Sequence, residues 1–262
     1  MNTDKIVELE RKVTELKQSI PPHSVKPEML VKLEELEEEL EKEKSKGERI
    51  SFSSYVVVAC GTLAPEINYL KKSGFLDARK ILFTKPGRHE NYRELESELI
   101  KQVNNGKKYA GRIIVVYGGK YCYVNPNDLY RSIDNIIAEQ GPGIFRIKAT
   151  HCVDMLASKE DKDRISKGKR GNAYWLTPGW LLFRHHVFQD RDKGFAIENF
   201  PGHKYTEGAI LLDGIGFFEK YSTEHPEEVL DFSDWMELPI KAHEISLDRL
   251  KSLLLEVVEQ DK

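Results

Sequence analysis

The sequence predicts an α/β protein: a mostly parallel, doubly wound sheet preceded by an N-terminal α-helical hairpin. Three observations point there. From Ile50 onward, short apolar and β-branched runs alternate with stretches of helical periodicity, as successive βαβ units require. Turn-forming pieces such as Cys60-Gly-Thr-Leu-Ala-Pro65 punctuate them. Before Ile50 the physics changes, because Thr3 to Arg49 is rich in Glu, Lys and Leu and holds no aromatic residue. The expected division is therefore a charged, coiled-coil-like hairpin over 1–49 and an α/β domain over 50–262.

Within the hairpin, Ile6, Leu9, Val13, Leu16 and Ile20 alternate spacings of three and four and lay one apolar stripe along a helix. Pro21 to Pro27 breaks that helix, and the last proline suits the start of the next. Met29, Leu33, Leu36 and Leu40 then repeat the stripe. Two narrow stripes flanked by charge close on each other and leave a seam for a second copy, hence a homodimer, or for another partner. In the α/β domain the strands are expected at 55–59, 80–83, 112–117, 143–148, 173–176, 209–213 and 238–243. Helices are expected at 65–73, 91–103, 127–139, 152–157, 178–189, 217–221 and 246–259. The last carries Leu247, Leu250, Leu254, Val257 and Val258 on one face, which should lie against the sheet.

Composition narrows the classes. With 262 residues, the chain can bury a large core without crosslinks. Three cysteines and no secretory pattern argue against a disulfide framework and favour a reducing cytoplasm. No apolar stretch approaches the roughly 18 residues of a membrane span. A net charge of −3 and a pI near 6.3 give no field that would draw nucleic acid.

The chemistry is concentrated in the loops after the strands. Cys60 closes the first strand, Cys122 lies in the glycine-rich loop Tyr117-Gly-Gly-Lys-Tyr-Cys122 after the third, and His151-Cys152 follows the fourth. In a parallel sheet these carboxyl ends share one rim, where ligands bind. Thiolate and imidazole are the donors of zinc and other soft ions, so Cys60, Cys122, Cys152 and His89 form a candidate metal set. The plain alternative makes Cys60 and Cys152 small core residues, His89 a loop residue capping a helix, and His151 a satisfied buried imidazole. His151 and Asp154 are candidate catalytic groups, with Asp154 either orienting an imidazole or serving as a first-turn carboxylate. Gly118, Thr177 and Trp180 are candidates for cofactor contact, and Thr177 also for capping the helix opened by Pro178. Lys159 to Arg170 reads as a charged mobile loop able to act as a lid. Asp213-Gly-Ile-Gly216 lacks the third glycine of a dinucleotide fingerprint and reads as a tight turn. There is no serine-hydrolase elbow, no zincin helix and no corrinoid-binding signature.

The loops Ala59-Cys-Gly61 with Leu63 and Glu66, the His89 segment, Tyr117-Gly-Gly119 with Cys122, His151-Cys-Val-Asp-Met155 and Tyr174-Trp-Leu-Thr-Pro-Gly-Trp180 together resemble an uncharacterised prokaryotic family of unknown function. That family is found in methanogens and anaerobic bacteria, and the resemblance spans roughly Ser54 to Phe188. Typical members place the third-motif cysteine nearer the tyrosine, whereas Gly119, Lys120 and Tyr121 displace Cys122 here. The resemblance implies a role beside corrinoid-dependent methyltransferase systems. The expected function is then a cytoplasmic metal-binding protein, zinc before iron, that catalyses or assists methyl transfer with a small-molecule substrate or a corrinoid protein. Two alternatives stand beside it. One is a non-catalytic binding or chaperone module that grips a corrinoid protein or cofactor on a platform of Trp175 and Trp180. The other is a metal-free thiol enzyme using His151 or His89 as base.

Overall fold

The computed structural model describes residues 3–19, 29, 31–37, 39–40, 50–87, 91–188 and 192–261. The chain divides into two units, Met1–Ile50 and Ser51–Lys262. In the first, a helix spans Thr3–Ser19. Arg11 bridges Glu8 and Glu15 one turn to either side, and Lys17 pairs with Glu37 at 2.6 Å, which brings the two halves of the segment together. The proline-rich turn at 21–27 lies outside the described residues, as does His89.

In the second unit all strand pairings are parallel, as the alternation of strands and helices requires. The strands divide between two sheets, a division that their succession along the sequence does not announce. The first holds β1 (Tyr55–Ala59), β2 (Lys80–Phe83), β3 (Arg112–Val116) and β4 (Ile144–Arg146) in the order β2-β1-β3-β4. The second holds β5 (Tyr174–Leu176), β6 (Ala209–Asp213) and β7 (Ile240–Glu244) in sequence order. β1 and β6 are buried along their whole length, which is why they read as unbroken apolar runs. Val56, Val58, Ile113 and Val115 on one face pack with Leu95, Leu99 and Val103 of the helix Tyr92–Lys107 and with Ile133, Ile136 and Ile137 of the helix Ile133–Glu139. The final helix, Asp248–Gln260, buries Leu250, Leu253, Leu254, Val257 and Val258. Just beyond it, Asp261 accepts a hydrogen bond from the Tyr55 hydroxyl at 2.5 Å and pairs with Arg112.

Several elements differ from the sequence reading for local reasons. The helix expected from 127 begins only at Ile133. The carboxamide of Asn125 and the carboxylate of Asp128 take the backbone N–H groups of Asn127 and Arg131, holding turns, until the Ser132–Asn135 capping box starts the helix. The charged stretch read as a mobile lid contains a helix, Lys159–Ile165, opened by a capping box between Ser158 and Asp161. Its Lys162 is buried and paired with Asp154, so this part of the stretch is fastened to the rim of the first sheet. The helix expected over 178–189 is two short pieces, Pro178–Leu182 and Arg184–Val187. Helices Lys193–Asn199 and Pro226–Met236 carry ordinary start signals, Asp192 and Pro226, that the reading passed over.

Candidate functional site

The strand order reverses between β1 and β3, so the loops that follow them leave in opposite directions and open a crevice at their carboxyl ends. The second sheet closes on this crevice. Thr177, the residue after β5, donates its hydroxyl to the Thr62 carbonyl in the loop after β1 at 3.2 Å. Gly179 makes that approach feasible, because a Cβ there would stand 2.0 Å from the same carbonyl oxygen. Strand ends of both sheets thus interlock.

The three cysteines follow the strand ends of the first sheet, Cys122 as part of the core that β1 and β3 form with the helices Tyr92–Lys107 and Ile133–Glu139. Cys60 follows β1 directly, with its sulfur 3.0 Å from the Thr62 hydroxyl. Cys122 is buried under the loop after β3, and a Cβ on Gly118 would lie 2.5 Å from its sulfur and 2.7 Å from the His151 Cα. Cys152 opens the helix Cys152–Leu156, its sulfur 3.4 Å from His151 Nδ1 and 3.4 Å from the indole nitrogen of Trp180, which donates to it. Burial pushes all three thiols up, and the charge of Cys152 pushes Cys60 and Cys122 further. Cys152 itself rises to about 11, again chiefly through burial. All three are therefore neutral thiols near pH 7. Among the described residues no three His, Cys, Asp or Glu side chains are grouped so as to hold a metal ion. The cysteines follow neighbouring parallel strands, β1, β3 and β4, and do not close into a cage.

Around them lie the acid–base groups. Burial lowers the His151 pKa, against a smaller upward pull from Asp154, so its imidazole is neutral. Asp154 does not hydrogen-bond that ring. Its two oxygens are taken by the Lys162 ammonium and the Thr150 hydroxyl, and it acts on His151 only through charge. Arg146 ties the rim together by donating from one nitrogen to the carbonyls of Tyr117 (3.1 Å), Ile147 (2.8 Å) and Ala149 (3.0 Å), while its other two nitrogens hold Asp134. Glu66 is fully buried, and both carboxylate oxygens lack a hydrogen-bond partner. Burial raises it to about 8, against a downward pull from its own backbone N–H and with a smaller push from Asp213. Its charge in turn reaches Cys152. An orphaned carboxyl thus lies beside the thiols.

Thr177 does not cap the helix at Pro178; its hydroxyl is spent on the opposite sheet. Trp180 is buried and faces Cys152, so it is not an exposed platform, and the indole N–H of Trp175 is committed to the Arg170 carbonyl. Gly118 serves close packing against Cys122 and Thr150. The Asp213 turn cradles its own anion. The Asp213 carboxylate accepts from the backbone N–H groups of Ile215, Phe217 and Phe218 at 2.7 to 3.0 Å, where a bound phosphate would otherwise sit. Glu66 and Arg146 escaped the sequence reading as site residues. Glu66 follows Pro65 and resembles any first-turn carboxylate, and Arg146 reads as an ordinary edge-strand charge.

Known proteins add the family and no reaction. No curated protein and no solved structure matches the chain. A family model described as a protein of unknown function (DUF1638) matches residues 83–254, well over half of the sequence. The match takes in Cys122, His151, Cys152, β3, β4 and the whole second sheet, begins at Phe83 after Cys60, Glu66 and β1, and runs beyond Phe188 almost to the C-terminus. The chain belongs to this family of unknown function, DUF1638.

Proposed function

We propose that the protein binds a soft divalent metal ion at this rim, zinc in preference to iron, through Cys60, Cys122 and Cys152 with His89 as fourth donor. In this reading the site serves methyl transfer in corrinoid-linked one-carbon metabolism, with a small molecule or a corrinoid protein as partner. The observation that carries it is that three cysteines follow three neighbouring parallel strands, β1, β3 and β4, with Gly118 packed against both the Cys122 sulfur and His151, the residue before Cys152. The donor set suits a soft ion, and ligation requires the sulfurs to turn inward and release their protons. Bound there, the ion would activate a thiol or water as nucleophile. The chain's own groups complete the task. Neutral His151 is able to accept the displaced proton, and Trp180 shields Cys152 from water. Metal analysis of protein purified without added metal is the test. Near one ion per chain, lost in Cys152→Ser, is the expected result; well below one ion per chain, unchanged by that substitution, refutes the reading.

A second reading rests on the 3.4 Å contact between Cys152 Sγ and His151 Nδ1, the spacing of a thiol–imidazole pair. It makes Cys152 a nucleophile without metal. Iodoacetamide labelling of chelator-treated protein at mildly acidic pH separates the two: selective alkylation of Cys152 supports the nucleophile, and uniformly slow labelling removes it.

A further inference from the structure

Beside the thiol rim, at the carboxyl end of β4, lies a cavity of about 540 Å³ whose walls include Arg146, Lys148, Lys159, Arg249, Asp154 and Glu160. Its charge is lopsided once internal pairs are set aside. Arg146 is matched by Asp134, and Asp154 by Lys162. What remains is Lys148, Lys159 and Arg249 against Glu160, three cations to one carboxylate. None of these three cations forms an ion pair within 4 Å among the described residues; the Glu160 carboxylate is held by its own backbone and by Ser158 and feels Lys159 and Arg249 only through charge. Arg249 is fixed in place, donating from Nε to the Asp154 carbonyl at 2.5 Å, so its position is set before any ligand arrives. Lys148 and Lys159 are exposed at the mouth. Thr150 and Asp154 line the same cavity and bracket His151 and Cys152 in the chain.

We propose that this cavity binds a small polyanion, a metabolite carrying at least two phosphate or carboxylate charges, and holds it beside His151 and Cys152. The size suits a metabolite rather than a macromolecule. Three like charges around one concave space focus an attractive potential that a single exposed lysine lacks. Arg249 supplies a planar donor for an oxyanion, and the two lysines act as mobile point charges that close over it. This goes beyond the metal reading and does not depend on it, because none of the three cations is a proposed metal donor.

The test is isothermal titration calorimetry of the full chain with pyrophosphate and with citrate, at matched ionic strength, on wild type, Lys148→Gln, Lys159→Gln and the double variant. Saturable binding of at least one probe is expected, near one per chain. Affinity should fall several-fold in each single variant and tenfold or more in the double variant. Binding of pyrophosphate alone assigns a phosphorylated ligand, and binding of citrate alone a carboxylate. No saturable heat with either probe at millimolar concentration overturns the proposal, as does a double variant that binds like wild type. All titrations use protein stripped of metal by prior dialysis against a chelator, so failure of the metal site and failure of the anion site are read separately.

Discussion

Replacing Glu66 by glutamine keeps the shape of the side chain and removes the charge it would otherwise gain, which isolates the cost of burying that carboxyl beside the thiols. In the folded protein its pKa lies at about 8, against 4.5 in the unfolded chain. Between those values the folded state keeps a proton that the unfolded state gives up. Stability is therefore full below pH 4.5 and falls as pH rises toward 8. At about 1.4 kcal/mol per pH unit, the shift from 4.5 to about 8 corresponds to a loss of roughly 4 to 5 kcal/mol across the window. Glu66→Gln has no such titration. Urea denaturation of both proteins with a chelator present, at several pH values from 4.5 to 8, gives the difference in unfolding free energy. The two should be close at the acid end, with the variant gaining steadily to several kcal/mol at the alkaline end. A difference that does not change with pH would show that Glu66 is solvated or paired in solution, and would refute its placement in the seam.

Three further substitutions probe the rim. Gly118→Ala would force a Cβ to within 2.5 Å of the Cys122 sulfur and 2.8 Å of the Thr150 carbonyl oxygen, and should cost about 1 to 3 kcal/mol as overpacking; a denaturation midpoint equal to wild type contradicts it. Arg146→Lys keeps the charge and loses the fork that reaches three carbonyls and Asp134, so it should destabilise by about 2 kcal/mol or more in the same assay. Thr177→Val removes the hydroxyl that joins the two sheets through Thr62 and should lower stability by about 1 to 2 kcal/mol. A neutral result would mean that this bond adds nothing to the seam.

Much of the fold was legible because buried parallel strands are apolar throughout. β1 and β6 stand out as Tyr55-Val-Val-Val-Ala59 and Ala209-Ile-Leu-Leu-Asp213, and their expected bounds match those observed. The partition into two sheets was not legible. It depends on contacts between distant loops, such as Thr177 with Thr62, that leave no periodic trace. Helix Lys159–Ile165 was missed because its residues are nearly all charged, so it shows no apolar stripe. Its capping box, Ser158 with Asp161, was the available signal. The site was legible in part. Cysteines after successive strands imply a common rim whenever the strands are parallel neighbours, and β1, β3 and β4 are. Glu66 was hidden because burial of a first-turn carboxylate is decided by what the second sheet places over it.

X-ray absorption at the zinc edge, on the full chain loaded with one equivalent of zinc, counts the sulfurs around the ion and so decides whether the three thiols meet on it. Three sulfur neighbours at about 2.3 Å, with one nitrogen nearer, are expected. A zinc ion surrounded only by oxygen and nitrogen would contradict ligation by the three thiols.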